Sequence, residues 1–352
     1  MADAAVSAPR EAGGAPRLRS VEDVQRAARR IRGAVRRTPL VEVDASGETL
    51  WLKAESLQVS GSFKVRGAYN ALAALAPAVR ARGVVAHSSG NHAAAIALAA
   101  KLLGTRAVVF MPEHAPAVKL AAARAGGAEV VLVGRSSDER RERAHEYADR
   151  HGMTLIPSAD HPDVIAGQGT VGLEIATQMR PLLRRWKDAP LTVLVPVGGG
   201  GLASGVAVAI KALVDGACVI GVEPTLAADG HASLRAGHIV VWPSTDTDRT
   251  IADGLRLTSL GVEPFAHLRA LLDGIILVEE AEIRAAVACA ARHAHLVAEP
   301  SGAATLAAAL FHASKLRAGG LTVCVISGGN IGVPLLRDIL ADEAVPPPSS
   351  IA

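Results

Sequence analysis

The sequence predicts an α/β protein of mostly parallel sheets flanked by helices. Three observations carry this: short β-branched apolar runs, longer Ala- and Leu-rich segments of helical period between them, and a 50% hydrophobic composition over 352 residues. Continuous apolar runs suit strands buried on both faces. In chain order they are Gly83–Ala86, Ala107–Phe110, Glu129–Val133, Leu191–Val195, Ala217–Val222 and Leu321–Ile326. Helical period is read at 69–75, 92–103, 116–125, 138–151, 201–214, 279–296 and 301–313. No repeat of a solenoid type is present. The length implies two domains.

Composition narrows the function. There are 37 Lys+Arg against 34 Asp+Glu, a formal charge of +3, and the basic residues are dispersed. With aromatics at 3%, no stacking platform for nucleic acid is available, so none is expected as a partner. Cys218, Cys289 and Cys324 are isolated in apolar stretches and read as buried small side chains in a reducing compartment. No run is long enough to span a membrane and no secretory signal is visible, which places the expectation in the cytoplasm.

Ligands of parallel α/β folds gather where strands end and helices begin. The turn after Leu191–Val197 reads Gly198-Gly199-Gly200-Gly201-Leu202. Backbone N–H groups of such a turn and of the following helix start can wrap a phosphate. Neither the dinucleotide spacing nor a nucleotide-triphosphate Lys-Ser/Thr accompanies it. The competing reading is a mobile turn. A second turn, His87-Ser88-Ser89-Gly90-Asn91-His92, has more hydrogen-bonding groups than helix capping needs and suits a carboxylate. A third, Ser327-Gly328-Gly329-Asn330, sets a hydroxyl at the end of a buried strand, although its composition is also that of an ordinary turn. In Ser60-Gly61-Ser62-Phe63-Lys64-Val65-Arg66-Gly67, Lys64 stands at a helix start. A cation is misplaced there, its pKa falls, and its amine becomes suited to a Schiff base. The bland alternative is a solvated surface lysine.

These segments, in this order, resemble the serine/threonine dehydratase and serine racemase family of pyridoxal-phosphate enzymes, fold type II, with the tryptophan-synthase-β fold. The resemblance covers roughly residues 20–340 and includes Val164–Thr170, Thr250–Gly254 and Ala298–Ala303. It implies two open, twisted, mostly parallel sheets. A large cofactor domain would comprise 17–80 and 161–341, a small mobile domain 81–160, and flexible tails 1–16 and 342–352. Lys64 would anchor pyridoxal 5′-phosphate and act as base. Phe63 would pack beside the ring, Asn91 would meet its 3′-hydroxyl, and Gly198, Gly199, Gly200, Gly201 and Leu202 would bind its phosphate. Ser327 would face the pyridine nitrogen, a choice that favours β-elimination over transamination. Ser88, Ser89, Asn91 and His92 would hold the substrate carboxylate, and Arg141 would reach the cleft on closure. Where the family has Gln, this chain has Ala94. Ser89, which is Ser in racemases and Ala in many dehydratases, would return a proton on the opposite face.

Glu223 and Asp229, with the Ala227 carbonyl between them, offer hard oxygen ligands for Mg²⁺ or Ca²⁺ at a spacing that resembles the racemase cation site. A pair of solvated acids is the alternative. The leading expectation is a threonine/serine ammonia-lyase acting on a small amino acid as a homodimer or higher homo-oligomer. Serine racemase, or a dehydratase of another β-hydroxy amino acid such as 3-hydroxyaspartate, stands beside it. A non-catalytic nucleotide-binding protein would leave Lys64 and Ser327 unexplained. Only 22 residues follow Asn330, so a C-terminal regulatory domain is not expected.

Overall fold

The computed structural model describes residues 17–45, 48–88, 90–134, 137–186 and 189–342. The tails expected at 1–16 and 342–352 lie outside these, Asp342 excepted. The strands are β1 (Leu40–Ala45), β2 (Glu48–Ala54), β3 (Val84–His87), β4 (Ala107–Pro112), β5 (Glu129–Val133), β6 (Thr154–Leu155), β7 (Leu191–Pro196), β8 (Cys218–Pro224), β9 (Gly274–Val278) and β10 (Leu321–Ile326). They form two sheets, β1-β2-β10-β7-β8-β9 and β5-β4-β3-β6. Every pairing is parallel except the β1–β2 hairpin.

β4, β7, β8 and β10 are buried at every position, because helices cover both faces of their sheets. In the large sheet the pleat divides the side chains. Leu194, Cys324 and Ile326 pack under the helices Glu280–His293 and Pro300–Phe311. Val193, Val195, Val323 and Val325 pack on the other face under Pro162–Arg185 and Gly201–Leu213. In the second sheet, Val84, Ala86 and Val109 meet the helices Lys64–Ala74 and Asn91–Leu102, while Val85, Val108 and Phe110 meet Ser137–His151. β5, at the edge, is the one expected apolar run left mostly uncovered among the described residues.

Two differences from the sequence reading matter for the site. The helix expected from Tyr69 begins at Lys64, so Lys64 occupies the first helical position. The segment Val164–Thr170 lies inside a 24-residue helix, Pro162–Arg185. Its glycines mark backbone crossings. A Cβ on Gly167 would stand 2.6 Å from the Gly67 Cα, and one on Gly205 would stand 2.4 Å from the Gly169 nitrogen. Gly67 N–H also donates to Gln168 Oε1 at 3.1 Å. This long helix therefore carries both the lysine helix and the helix after the tetraglycine turn, and fixes one against the other.

Candidate active site

The strand ends of both sheets open on one cavity of about 290 Å³. Lys64, Ser88, Asn91, His92, Arg141, Ser327 and all four glycines of the 198–201 turn border it, together with Phe63 and Leu202. Ser89 lies outside the described residues.

Lys64 is delivered by a local lock. Phe63 N–H donates to the Ser327 carbonyl at 3.0 Å, and Ser62 bridges Gly328, so the Ser-Phe-Lys segment is pinned to the turn after β10. Lys64 Nζ donates to the Ser158 carbonyl at 3.1 Å and lies 5.1 Å from the Phe63 ring centre. Burial pushes its ammonium down to about 8, with Glu299 partly opposing. The depression expected from the helix start is present, but removal from water is its main cause.

The tetraglycine turn is tightly enclosed. Gly200 has φ of 86°, in the left-handed region where glycine is favoured. A Cβ there would fall 2.7 Å from Pro264 Cβ, one on Gly199 2.9 Å from Ala159 Cβ, and one on Gly201 3.0 Å from Ala159 Cα. The helix Gly201–Leu213 starts here, and its first N–H groups have no carbonyl four residues back to accept them. Such groups favour an anion.

At the 87–92 turn, Ser88 Oγ accepts from Gly90 N–H at 3.0 Å, and the helix Asn91–Leu102 begins immediately after. Asn91 is held at both ends: Nδ2 donates to Glu299 Oε1, and Oδ1 accepts from Asn330 at 2.9 Å. The buried His92 ring bonds the Ile156 carbonyl at 2.9 Å. Burial and then Lys64 push it down to about 3, so it stays neutral at physiological pH. Arg140 and Arg141 are the fourth and fifth residues of the helix Ser137–His151.

A second layer was not legible as such. Lys119 is 4% exposed and pairs with Asp253 at 2.5 Å and Glu299 at 3.3 Å. Gly254 N–H donates to Ser301 Oγ at 2.8 Å. The Ala-Glu-Pro-Ser-Gly segment signalled a helix start, with Glu299 at its cap and Pro300 in its first turn. Partners 134 and more residues apart in the chain are brought together only by the apposition of the two sheets.

Glu223 and Asp229 do meet, at the end of β8 and the start of the helix Asp229–Ala236, away from this cavity. Glu223 accepts from Gly230 N–H at 3.0 Å and His231 N–H at 2.7 Å. Both Asp229 oxygens are buried without a hydrogen-bond partner. Burial, and then Asp229, hold Glu223 well above the usual carboxylate range; burial pushes Asp229 up to about 7. Among the described residues no group of three or more His, Cys, Asp or Glu gathers as a metal site, and no helix is long and apolar enough to cross a membrane.

The model of a family described as pyridoxal-phosphate dependent enzyme matches residues 31–328. The chain is 42% identical to an L-threo-3-hydroxyaspartate ammonia-lyase of Pseudomonas sp., over 92% of this chain and 99% of that one. It is 39% identical to a serine racemase of Schizosaccharomyces pombe, over 90% and 95%. Among solved structures, a threonine deaminase from T.th. matches with a TM-score of 0.81 and 43% identity, covering 89% of this chain and 99% of that one.

Proposed function

The chain belongs to the pyridoxal-phosphate-dependent enzymes, and from that premise we propose that it is an ammonia-lyase converting β-hydroxy amino acids such as L-threonine and L-serine to 2-oxo acids and ammonia. The observation that carries this is the meeting of Lys64, the tetraglycine turn and Ser327 on one cavity, with the lysine amine pushed down to about 8. The cradle at Gly199–Gly201, where a Cβ has no room, fits a phosphate held by backbone N–H groups alone.

When bound, pyridoxal phosphate supplies an electron sink for the charge left on the substrate α-carbon. Lys64 would hold the cofactor through its amine and would serve as the base for the substrate α-proton. An amine near pKa 8 is well matched to both tasks near neutral pH. Ser88 and the start of the helix Asn91–Leu102 hold the α-carboxylate. Asn91, set by Glu299 and Asn330, would orient the ring through its 3′-hydroxyl. Ser327, on the cavity wall, would offer the ring nitrogen a hydroxyl, where a carboxylate would enforce protonation and a hydroxyl does not. That weaker sink favours loss of the β-hydroxyl as water over transamination. The unsaturated amine then hydrolyses to ammonia and the keto acid.

The test is a panel of β-hydroxy amino acids assayed for keto acid and for the chirality of recovered substrate, on protein whose visible absorption band is checked for bleaching by borohydride. Keto-acid formation with a bleachable band is expected. A colourless protein, or racemisation without elimination, would refute the reading.

A divalent cation between Glu223 and Asp229 is part of the same proposal. Two buried, mutually repelling carboxylates, one with both oxygens unpartnered, fit a hard cation such as Mg²⁺ or Ca²⁺. The Ala227 carbonyl would be a third ligand. Calcium or magnesium is expected to raise Tm in the wild-type protein and to leave Tm unchanged in Asp229→Asn. An equal response of the two proteins would exclude the site.

A further inference from the structure

The tetraglycine cradle is enclosed from two sides. On one, Ala159 stands against Gly199 and Gly201. On the other is the helix Val262–Leu271, whose Pro264 and Leu268 stand against Gly200. A long hydrogen bond, from Gly261 N–H to the Gly199 carbonyl at 3.4 Å, joins the start of that helix to the turn.

This helix does not cap itself. Its N-cap residue is Gly261, which has no side chain, so the first N–H groups need an acceptor from elsewhere. Asp160 supplies it from 102 residues away. Its Oδ2 accepts from Val262 N–H at 3.1 Å and its Oδ1 from Glu263 N–H at 2.8 Å. The approach is close: a Cβ on Gly261 would stand 2.6 Å from the Asp160 Cβ. Because Asp160 follows Ala159 in the chain, one carboxylate ties the two sides of the cradle together. It is itself exposed and is not among the residues that border the cavity. We propose that Asp160 is a positioning residue for the phosphate cradle: it holds the helix Val262–Leu271 against Ala159 and thereby keeps Gly199–Gly201 in the shape that offers N–H groups to a phosphate. This rests on the pyridoxal-phosphate reading above and deepens it. Ser158, two residues before Asp160, receives Lys64 Nζ, so a general loosening of the segment would be felt at the lysine as well. The role proposed for Asp160 is confined to the phosphate end.

Two probes separate the ends. Pyridoxal 5′-phosphate and pyridoxal, which differ only in the phosphate, are titrated into the full-length protein freed of cofactor, with visible absorption as the signal. The wild type is expected to bind the phosphate form more tightly. In Asp160→Ala that preference should shrink by about 5- to 30-fold, the typical to upper cost of a lost helix cap read as an equilibrium constant, while the affinity for pyridoxal stays as in the wild type. Asp160→Asn, which keeps one acceptor oxygen, should fall between. A preference unchanged in Asp160→Ala to within about twofold would overturn the proposal. Equal weakening of both probes would overturn it too, since Asp160 would then support the segment as a whole. A wild type with no preference for the phosphate form would remove the phosphate from the tetraglycine turn, and this role of Asp160 with it. No substrate enters these titrations, so their outcome is independent of whether β-hydroxy amino acids are turned over.

Discussion

Lys64→Ala is expected to abolish keto-acid formation. Loss of a general base alone costs about 10²–10⁴-fold, and in the proposed function the same side chain is also the covalent anchor, so both functions would disappear together. The substitution lies at the first position of a helix, where alanine is well tolerated, so the fold should persist. Keto-acid release from L-threonine, with far-ultraviolet circular dichroism as the folding control, checks it. A variant that keeps a tenth of wild-type turnover would show that another lysine does the chemistry.

Arg66→Met is expected to cause the largest loss of stability. Arg66 is fully buried, two residues beyond Lys64, and pairs with Glu55 and Glu174 at 2.8 Å each. Lys53, also fully buried, pairs with the same Glu174 at 2.6 Å. Burial works against the Arg66 charge, but Glu55 and Glu174 outweigh it and hold the guanidinium above its usual range. Removing one partner of a buried pair costs about 3–5 kcal/mol, because the partner charge is left uncompensated. Glu55 would be that charge, since it is completely enclosed and, among the described residues, keeps the Thr38 hydroxyl and Lys53 nearby. Denaturant unfolding of variant and wild type measures the difference. A loss below about 1 kcal/mol would mean that water reaches Glu55 once the guanidinium is gone.

How much of this was legible in the sequence depends on range. β7, β8 and β10 could be read because strands covered on both faces have no polar alternation to hide them. The hairpin β1–β2 is not a continuous apolar run. Glu42 and Asp44 alternate with Val41 and Val43, as expected where one face meets water. The helix Pro162–Arg185 was obscured by its glycines, which weaken helical propensity yet serve as crossing points for two neighbours. At the cavity, the residues that line it from turns were legible, because a turn concentrates its polar groups in a few consecutive letters. The contacts of Lys119 with Asp253 and Glu299, the buried pairs of Arg66 and the Asp160 cap on the helix Val262–Leu271 all join distant segments. No local pattern carries them.

The order of strands in the large sheet also has a consequence for how the chain matures. The four-stranded sheet is drawn from one contiguous stretch, residues 84–155, and can assemble as soon as that stretch is available. The six-stranded sheet is different: β10 is the last of its strands in the chain, yet it lies between β2 and β7, pairing with both. Until residues 321–326 have left the ribosome, β2 and β7 each have an apolar edge with no neighbour, open to pairing with other chains. The same late strand ends in Ser327, whose carbonyl fixes the segment that presents Lys64. Completion of the sheet and alignment of the lysine are thus one event, and a nascent chain stalled short of β10 has neither.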